Sequence, residues 1–242
     1  MMLGRAVRYV GAALGMLGAL AACDRQVADA AAQPYEIVTQ MRPESLDVYM
    51  RMYRQMHDAC ARVRAIRHLP PPPPLVTLPA DFVIARSTYL SSGSGFLIRN
   101  EEFNVVMDDA DCKTRIDSIL SETVVRGGKV YGQRRESGGQ TEVEEPMPLS
   151  QPSSDGSSFT EKRTVGGIAM RCGSADLRTD IAQDVCAADA GTDVLRDGVR
   201  YPIILYSRGV VPVRKMVVVT EPVSVQIGKP VSPERIALSG AK

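Results

Sequence analysis

The chain has 242 residues, with 29 basic and 28 acidic side chains and a formal net charge of +1. Basic and acidic residues are nearly equal in number, which gives no reason to expect a nucleic-acid partner. Binding of nucleic acid requires a concentrated basic surface. The length is sufficient for one good-sized domain or two small ones.

The first 22 residues are typical of a signal peptide. Residues 1–8 carry Arg5 and Arg8 but no acid, and residues 9–20 carry no charge at all. This uncharged run is shorter than the roughly 20 apolar residues that a permanent membrane-spanning helix needs. We therefore expect residues 1–22 to export the chain and then to be removed.

The end of this segment carries the motif Leu20-Ala21-Ala22-Cys23. It resembles the lipobox of bacterial lipoprotein precursors, in which an aliphatic residue and two small residues precede a cysteine. The resemblance implies that the Cys23 thiol receives a diacylglycerol and that the preceding peptide bond is cleaved. It also implies a location in the bacterial cell envelope, with the chain anchored to a membrane and facing the periplasm. Asp24 resembles the signal that retains such proteins at the inner membrane, and it favours that membrane over the outer one.

Acyl chains on Cys23 would hold the protein on a bilayer without help from the folded domain. Each CH₂ group that enters the membrane contributes about 0.8 kcal/mol. Loss of the signal segment would also remove Arg5 and Arg8, so the net charge would fall from +1 to about −1.

Lipidation of Cys23 would leave an even set of four cysteines, Cys60, Cys112, Cys172 and Cys186. An oxidising compartment favours disulfides between them, and four cysteines allow three pairings. We favour Cys172 with Cys186, which closes a short loop, and Cys60 with Cys112, which ties an early helix to the later body. The chain has no CxxC spacing, which argues against zinc.

The first part of the exported chain is predicted to be a tether, a helix and a spacer. Residues 23–42 are small and polar without a period, as in a tether. Residues 43–69 predict an amphipathic helix, because apolar side chains recur on one side of the helical wheel. Five prolines at residues 70–74 end that helix and form a stiff polyproline spacer. The helix residues expected to face the core are Val48, Tyr49, Met52, Tyr53, Met56, Ala59, Cys60, Val63 and Ile66.

The remainder of the chain is predicted to be mostly β-structure. Residues 75–135 and 162–236 contain short β-type runs, and residues 136–161 separate them as a flexible polar loop. Residues 176–187 predict one further short helix, and residues 237–242 form a tail. The predicted fold class is therefore α+β: an N-terminal amphipathic helix, then a β-rich body built as an antiparallel sheet or a sandwich, with that short helix.

The sequence favours binding over catalysis, because no recognisable nucleophile, metal set or phosphate-binding loop is present. We expect no cofactor, and a binding or scaffold role toward other envelope proteins. An edge of a β-sheet can accept a strand from a partner. Residues 217–220 and 223–227 are the runs to consider if they form an edge.

Three alternatives stay open at this point. The first is an enzyme of envelope polymers acting through paired carboxylates, which leave no local signature in a sequence. The second is periplasmic metal handling, since Met52, Met56, His57 and Cys60 combine ligand types that suit Cu(I). The third is contact of the basic helix with anionic headgroups near the lipid anchor.

Overall fold

The structure is a computed structural model. Cys23 and Asp24, like the whole predicted signal segment, lie outside the residues that it describes. The described ranges are 33–148, 153–154, 159–173, 182–188, 193–196, 199–212 and 215–240.

The described residues include fifteen strands, one α-helix and a 3₁₀ turn at Pro233–Arg235. The helix, α1, spans Leu46–Ile66. The strands are β1 (Tyr35–Pro43), β2 (Ala85–Ser91), β3 (Gly95–Met107), β4 (Thr114–Arg126), β5 (Lys129–Glu136), β6 (Thr141–Val143), β7 (Met147–Pro148), β8 (Ser153–Ser154), β9 (Phe159–Val165), β10 (Ile168–Gly173), β11 (Ala182–Ala188), β12 (Asp193–Arg196), β13 (Val199–Pro202), β14 (Ile204–Val211) and β15 (Met216–Ile227).

Twelve of these strands belong to one antiparallel sheet. Its order is β6-β5-β4-β3-β2-β1-β15-β14-β11-β10-β9, and β7 pairs with β5 beside β6. Three short strands form a second sheet in the order β12-β13-β8, with β13 and β8 parallel. Because β1 and β15 pair at the centre of the large sheet, the two β-rich parts predicted from the sequence are joined in one sheet.

One apolar core extends across the middle of the large sheet. Tyr35 and Ile37 of β1 are buried in the same cluster as Met170 of β10 and Leu205 of β14. Strands β15, β14 and β11 lie between β1 and β10 in the sheet order, so this core is continuous over neighbouring strands.

The outer face of β2–β5 is covered by the C-terminal segment, residues 228–240. Val231 and Ile236 of this segment cluster with the buried side chains of Leu90 and Leu97. The apolar side chains on this face of β2–β5 are therefore buried by the C-terminal segment.

Helix α1 follows β1 directly. Ser45 caps its first turn, since the Ser45 hydroxyl accepts a hydrogen bond from the Val48 amide at 3.3 Å. The first half of the helix packs on the sheet through Tyr49 and Tyr53, which share a cluster with Val105 of β3. The helix therefore packs against the sheet near the end of β3 and the start of β15.

The predicted α+β fold class was wrong, because the fold is β-rich and a strand precedes the helix. Residues 35–42 belong to the predicted tether and Pro43 to the predicted helix, yet Tyr35, Ile37 and Thr39 are buried at alternate positions, as in a half-buried strand. Strand β11 occupies residues where the further short helix was predicted. Its helix-favouring alanines are overruled by pairing with β10 and β14, which places Cys186 in the core.

Two further expectations about the sheet change. The predicted flexible loop, residues 136–161, contains β6 and β7, which pair with β5. Residues 217–220 are central, because β15 pairs there with β14 and β1. Residues 224–227 pair with β1 on one side, and the pairing of β15 with β14 stops at Thr220. In the described part of the chain, the outermost strands of the sheet are β6 and β7 on one side and β9 on the other.

Candidate functional site

The second half of α1 lies beside a projecting β-hairpin. Strand β2 pairs with β3 only as far as Glu102, whereas β3 and β4 continue to Met107 and Thr114. We call this projecting part, residues 54–74 and 103–118, the distal arm. It extends beyond the end of β1 where the helix begins.

The helix and the hairpin run side by side along the arm. They are in contact at two places: Tyr53 packs in one cluster with Val105, and further along the helix Arg64 is hydrogen-bonded to Ala110. Eleven residues of helix, from Tyr53 to Arg64, advance about 16 Å, so the helix follows β3 from Val105 to the turn beyond its end at Met107.

The distal arm is held together by a disulfide and by hydrogen bonds to backbone carbonyls. Cys60 of α1 is bonded to Cys112 at the tip of the hairpin. Arg64 donates from Nη1 to the Ala110 carbonyl at 2.8 Å and from Nε to the Pro70 carbonyl at 2.7 Å. His57 Nε2 lies 2.7 Å from the Pro73 carbonyl, so the polyproline run folds back along the helix.

The helix ends in a compact cap. His68 takes a positive φ of 54°, and the amide of Leu69 donates to the Arg64 carbonyl at 2.9 Å. The amide of His68 donates to the Ala65 carbonyl at 3.1 Å, which completes a Schellman-type ending. The last turn of α1 is therefore defined even though it lies away from the core.

An apolar stripe is exposed on this arm. It consists of Met56, Val63, Ile66 and Leu69, which are 43%, 48%, 77% and 46% exposed. The prediction that Met56, Val63 and Ile66 face the core was wrong. Only the first part of the helix reaches the core, because its 21 residues span about 31 Å and outrun the sheet.

The charges of the arm have both signs. Arg62 and Arg67 are exposed on the helix, while Asp108 and Asp111 are exposed at the hairpin tip. Asp108 accepts a hydrogen bond from the Ala110 amide at 2.8 Å, and Asp111 accepts one from the Lys113 amide at 2.9 Å. The two aspartates therefore stabilise the turn.

The candidate copper ligands are not brought together. Cys60 forms a disulfide, His57 contacts a carbonyl, and Met56 is exposed. Across the described ranges, no group of three or more His, Cys, Asp and Glu side chains is placed to hold a metal ion.

The second disulfide joins Cys172 of β10 to Cys186 of β11, which are directly paired across the two strands. Both residues are fully buried in the apolar core that also contains Tyr35 and Ile37. The expectation of disulfides is confirmed, and the two bonds are the pairs favoured from the sequence.

A buried carboxylate that the sequence did not indicate fastens the C-terminal segment to the sheet. Glu122 of β4 has a fully buried side chain and accepts a hydrogen bond from Arg99 Nε at 2.6 Å. It also accepts from the amide and the hydroxyl of Ser239, at 2.8 and 2.7 Å, and from the side-chain amide of Gln133. The only signal in the sequence was one acidic residue within a β-type run.

The pKa of Glu122 reflects two opposing effects. Burial raises it, whereas the hydrogen bonds from Ser239, Arg99 and Gln133 lower it, and the net result is a pKa below the ordinary value. Glu122 therefore stays ionised and acts as a fixed anchor point rather than as a proton donor.

A cleft of about 280 Å³ lies where β4 and β5 meet the turn after β5. Two carboxylates, Glu101 and Glu136, line it together with Arg135. Glu136 is also paired with Arg134 at 3.1 Å. Glu101 and Glu136 are therefore the acids of this cleft that bear on the alternative of a carboxylate-based enzyme.

Comparison with known proteins finds no family model, no curated protein and no solved structure that matches this chain. Among the described residues, no helix is both long and apolar enough to cross a bilayer. Function must therefore be inferred from the residues and their arrangement.

Proposed function

We propose that this chain is a bacterial envelope lipoprotein, anchored through Cys23 and facing the periplasm, that binds or scaffolds another envelope protein through its distal arm. The signal-like segment and the lipobox-like motif before Cys23 support the anchor. Two disulfides fit an oxidising compartment, where such bonds persist.

The observation that carries the binding role is the exposed apolar stripe of the distal arm. Met56, Val63 and Ile66 lie on one side of α1 and Leu69 follows in its cap, so four exposed large apolar side chains share one arm, whereas isolated exposed apolar residues need no explanation. The Cys60–Cys112 disulfide holds the stripe in place, so little conformational entropy is lost when a partner binds.

The arm also lies away from the end of the sheet that the tether would reach. β1 begins at Tyr35 and ends at Pro43, about 26 Å further on, next to the start of α1. A tether from Cys23 would therefore join the sheet at the Tyr35 end of β1. The arm lies at the opposite end, where a periplasmic partner would have access.

A protein partner fits the arm better than a lipid surface does. Binding to anionic headgroups favours a uniformly basic face. Here the acidic hairpin tip, with Asp108 and Asp111, contacts the same helix that carries Arg62 and Arg67, because Arg64 bonds to Ala110.

A pull-down from envelope membranes tests the binding role. We expect the wild-type protein to retain a specific partner protein and Ile66→Glu to lose at least 90% of it, since burying an unpaired charge is costly. Ala65→Glu is the matched control, because it places the same charge on the exposed opposite side of the same turn.

The binding role is contradicted if the two variants retain the partner equally, or if no partner is recovered. Recovery of the protein on protein-free anionic vesicles, lost in Ile66→Glu, would instead show that the stripe contacts lipid. Circular dichroism and disulfide content verify that both variants are folded.

The anchor is tested separately with Cys23→Ser. We expect wild-type protein in the membrane fraction with an acylated N-terminal cysteine by mass spectrometry, and the variant in the soluble periplasmic fraction. Inner-membrane density on a sucrose gradient is expected because of Asp24. An unprocessed wild-type chain without acyl mass contradicts the anchor, whatever the pull-down shows.

A further inference from the structure

The face of the sheet formed by β2, β1, β15 and β14 is apolar at both ends and carries hydroxyl groups in the middle. On β1, Ile37 belongs to one apolar cluster and Met41 lies toward the other, with buried Thr39 between them. On β14, Leu205 belongs to the first cluster and Val211 packs against the second, with Ser207 between. The same change from apolar to polar and back on β1 and β14, the two strands that flank β15, defines a polar layer.

This layer surrounds a cleft of about 270 Å³. Three of its walls carry hydroxyls, from β1, β2 and the paired residues Ser207 and Thr220. Its lining consists of Thr39, Met41, Ala85, Ser87, Tyr89, Ile204, Ser207 and Thr220. Several of these side chains are half-exposed, so the cleft opens to solvent.

The hydroxyl groups of the lining lie close together on neighbouring strands, since Thr39 of β1 is directly paired with Ser87 of β2. Tyr89 is half-buried beside them, and burial raises the pKa of its phenol, so the phenol keeps its proton. Such groups both donate and accept, and when buried they require polar partners. No charged side chain is among the residues that line the cleft, so an ion would enter it without a counter-charge.

We propose that this cleft binds a small, neutral, hydroxyl-bearing molecule about the size of one sugar ring. The volume lies near the lower end of ligand pockets, about 300 Å³ upward, which excludes longer oligomers from full burial. Tyr89, Met41 and Ile204 supply the apolar part of the lining.

Titrations of the full, disulfide-intact chain with D-glucose and N-acetyl-D-glucosamine, followed by amide chemical shifts, test this site. We expect saturable shifts at Thr39, Ser87 and Ser207. D-glucosamine and D-glucuronate, which are similar in size but charged, should bind at least tenfold more weakly.

Two variants and a control refine the test. Ala85→Leu fills the cleft and should abolish the shifts, while Ser207→Ala removes one hydrogen-bonding group and should weaken binding about fivefold. Thr88→Val, on the opposite face of β2, should bind as the wild type does.

The proposal is overturned if neither neutral sugar produces saturable shifts at the lining residues. That result would show that the cleft holds only water. Equal binding of neutral and charged sugars would also overturn it, as would unchanged binding by Ser207→Ala. That variant decides the question if Ala85→Leu does not fold. None of these outcomes depends on the distal arm or the lipid anchor.

Discussion

At the scale of single residues, Glu122 is the clearest determinant of the fold's closure. Its carboxylate joins two strands and the C-terminal segment, because Arg99, Gln133 and Ser239 all donate to it. Burial of one charge is tolerated here because every lone-pair direction is used by a donor. A charge removed from this point should therefore loosen the segment that covers the outer face of the sheet.

We expect Glu122→Gln to lower the free energy of unfolding by about 2 kcal/mol, because charge-assisted hydrogen bonds are lost in a buried site. Glu136→Gln removes a carboxylate from an exposed pair with Arg134, and it should cost less than about 0.5 kcal/mol. Urea unfolding of both variants measures the difference. Equal stabilities for the two variants would show that Glu122 does not fasten the segment.

The pH dependence of stability should identify the same carboxylate. The folded-state pKa of Glu122 lies below its ordinary value of 4.5. Its stabilisation is therefore fully present above about pH 5 and lost as the pH falls through the folded pKa. The difference in unfolding free energy between wild type and Glu122→Gln should be constant from pH 7 to 5 and shrink below pH 4.5. A difference that grows on acidification would contradict the assignment.

At the scale of elements, the distal arm is a helix that depends on a crosslink more than on a core. Beyond Tyr53, α1 has few buried contacts and relies on the Cys60–Cys112 disulfide, the Arg64 hydrogen bonds and its cap. Segments with few buried apolar contacts are the ones that open locally. The disulfide is therefore what keeps the apolar stripe in one geometry.

We expect the double variant Cys60→Ser/Cys112→Ser to exchange amide hydrogens at least tenfold faster in α1 beyond Arg54, with the turn around Tyr49 less affected. The disulfide closes a loop of 52 residues, so global stability should also fall by about 4 kcal/mol. Hydrogen exchange with mass spectrometry measures the local effect.

The matched control is Cys172→Ala/Cys186→Ala, which removes the disulfide between β10 and β11. It should destabilise the core without selectively opening the helix. If the amide hydrogens in the second half of α1 exchange at the same rate in both double variants, the arm does not depend on its own disulfide.

The sequence predicted local features better than their environment. Helical periodicity over residues 43–69 indicates a helix, and α1 lies within that range, because the pattern is local. Which part of the apolar side is buried depends on where β3 and β4 outrun β2, and no local pattern contains that information. For the same reason the pairing of β1 with β15, residues 35–43 with 218–227, was missed.

Side-chain clusters were equally hidden. The disulfides were predicted because cysteine parity and compartment limit the choices. The Glu122 cluster joins residues up to 140 positions apart along the chain, from Arg99 to Ser239, and only the folded sheet brings them together. Alanine-rich β11 was expected to be helical because local propensity was weighed without its two neighbouring strands.

At the scale of the whole molecule, we propose that one end of the sheet is attached to the membrane and the other end binds the partner. The Tyr35 end receives the chain from Cys23, and the opposite end carries the distal arm with its exposed stripe. The sheet between them is long enough to separate a membrane from a partner by tens of ångströms. Anchor and binding surface can therefore act at the same time.

Site-specific photocrosslinking in intact envelopes tests this arrangement most directly. A photoreactive side chain at Val63 or Ile66 should give a discrete crosslinked protein in a membrane-anchored sample, and the same group at Ala65 should not, because Ala65 faces away from the stripe. Crosslinks of equal yield from all three positions, or from none, would contradict a binding role for the distal arm.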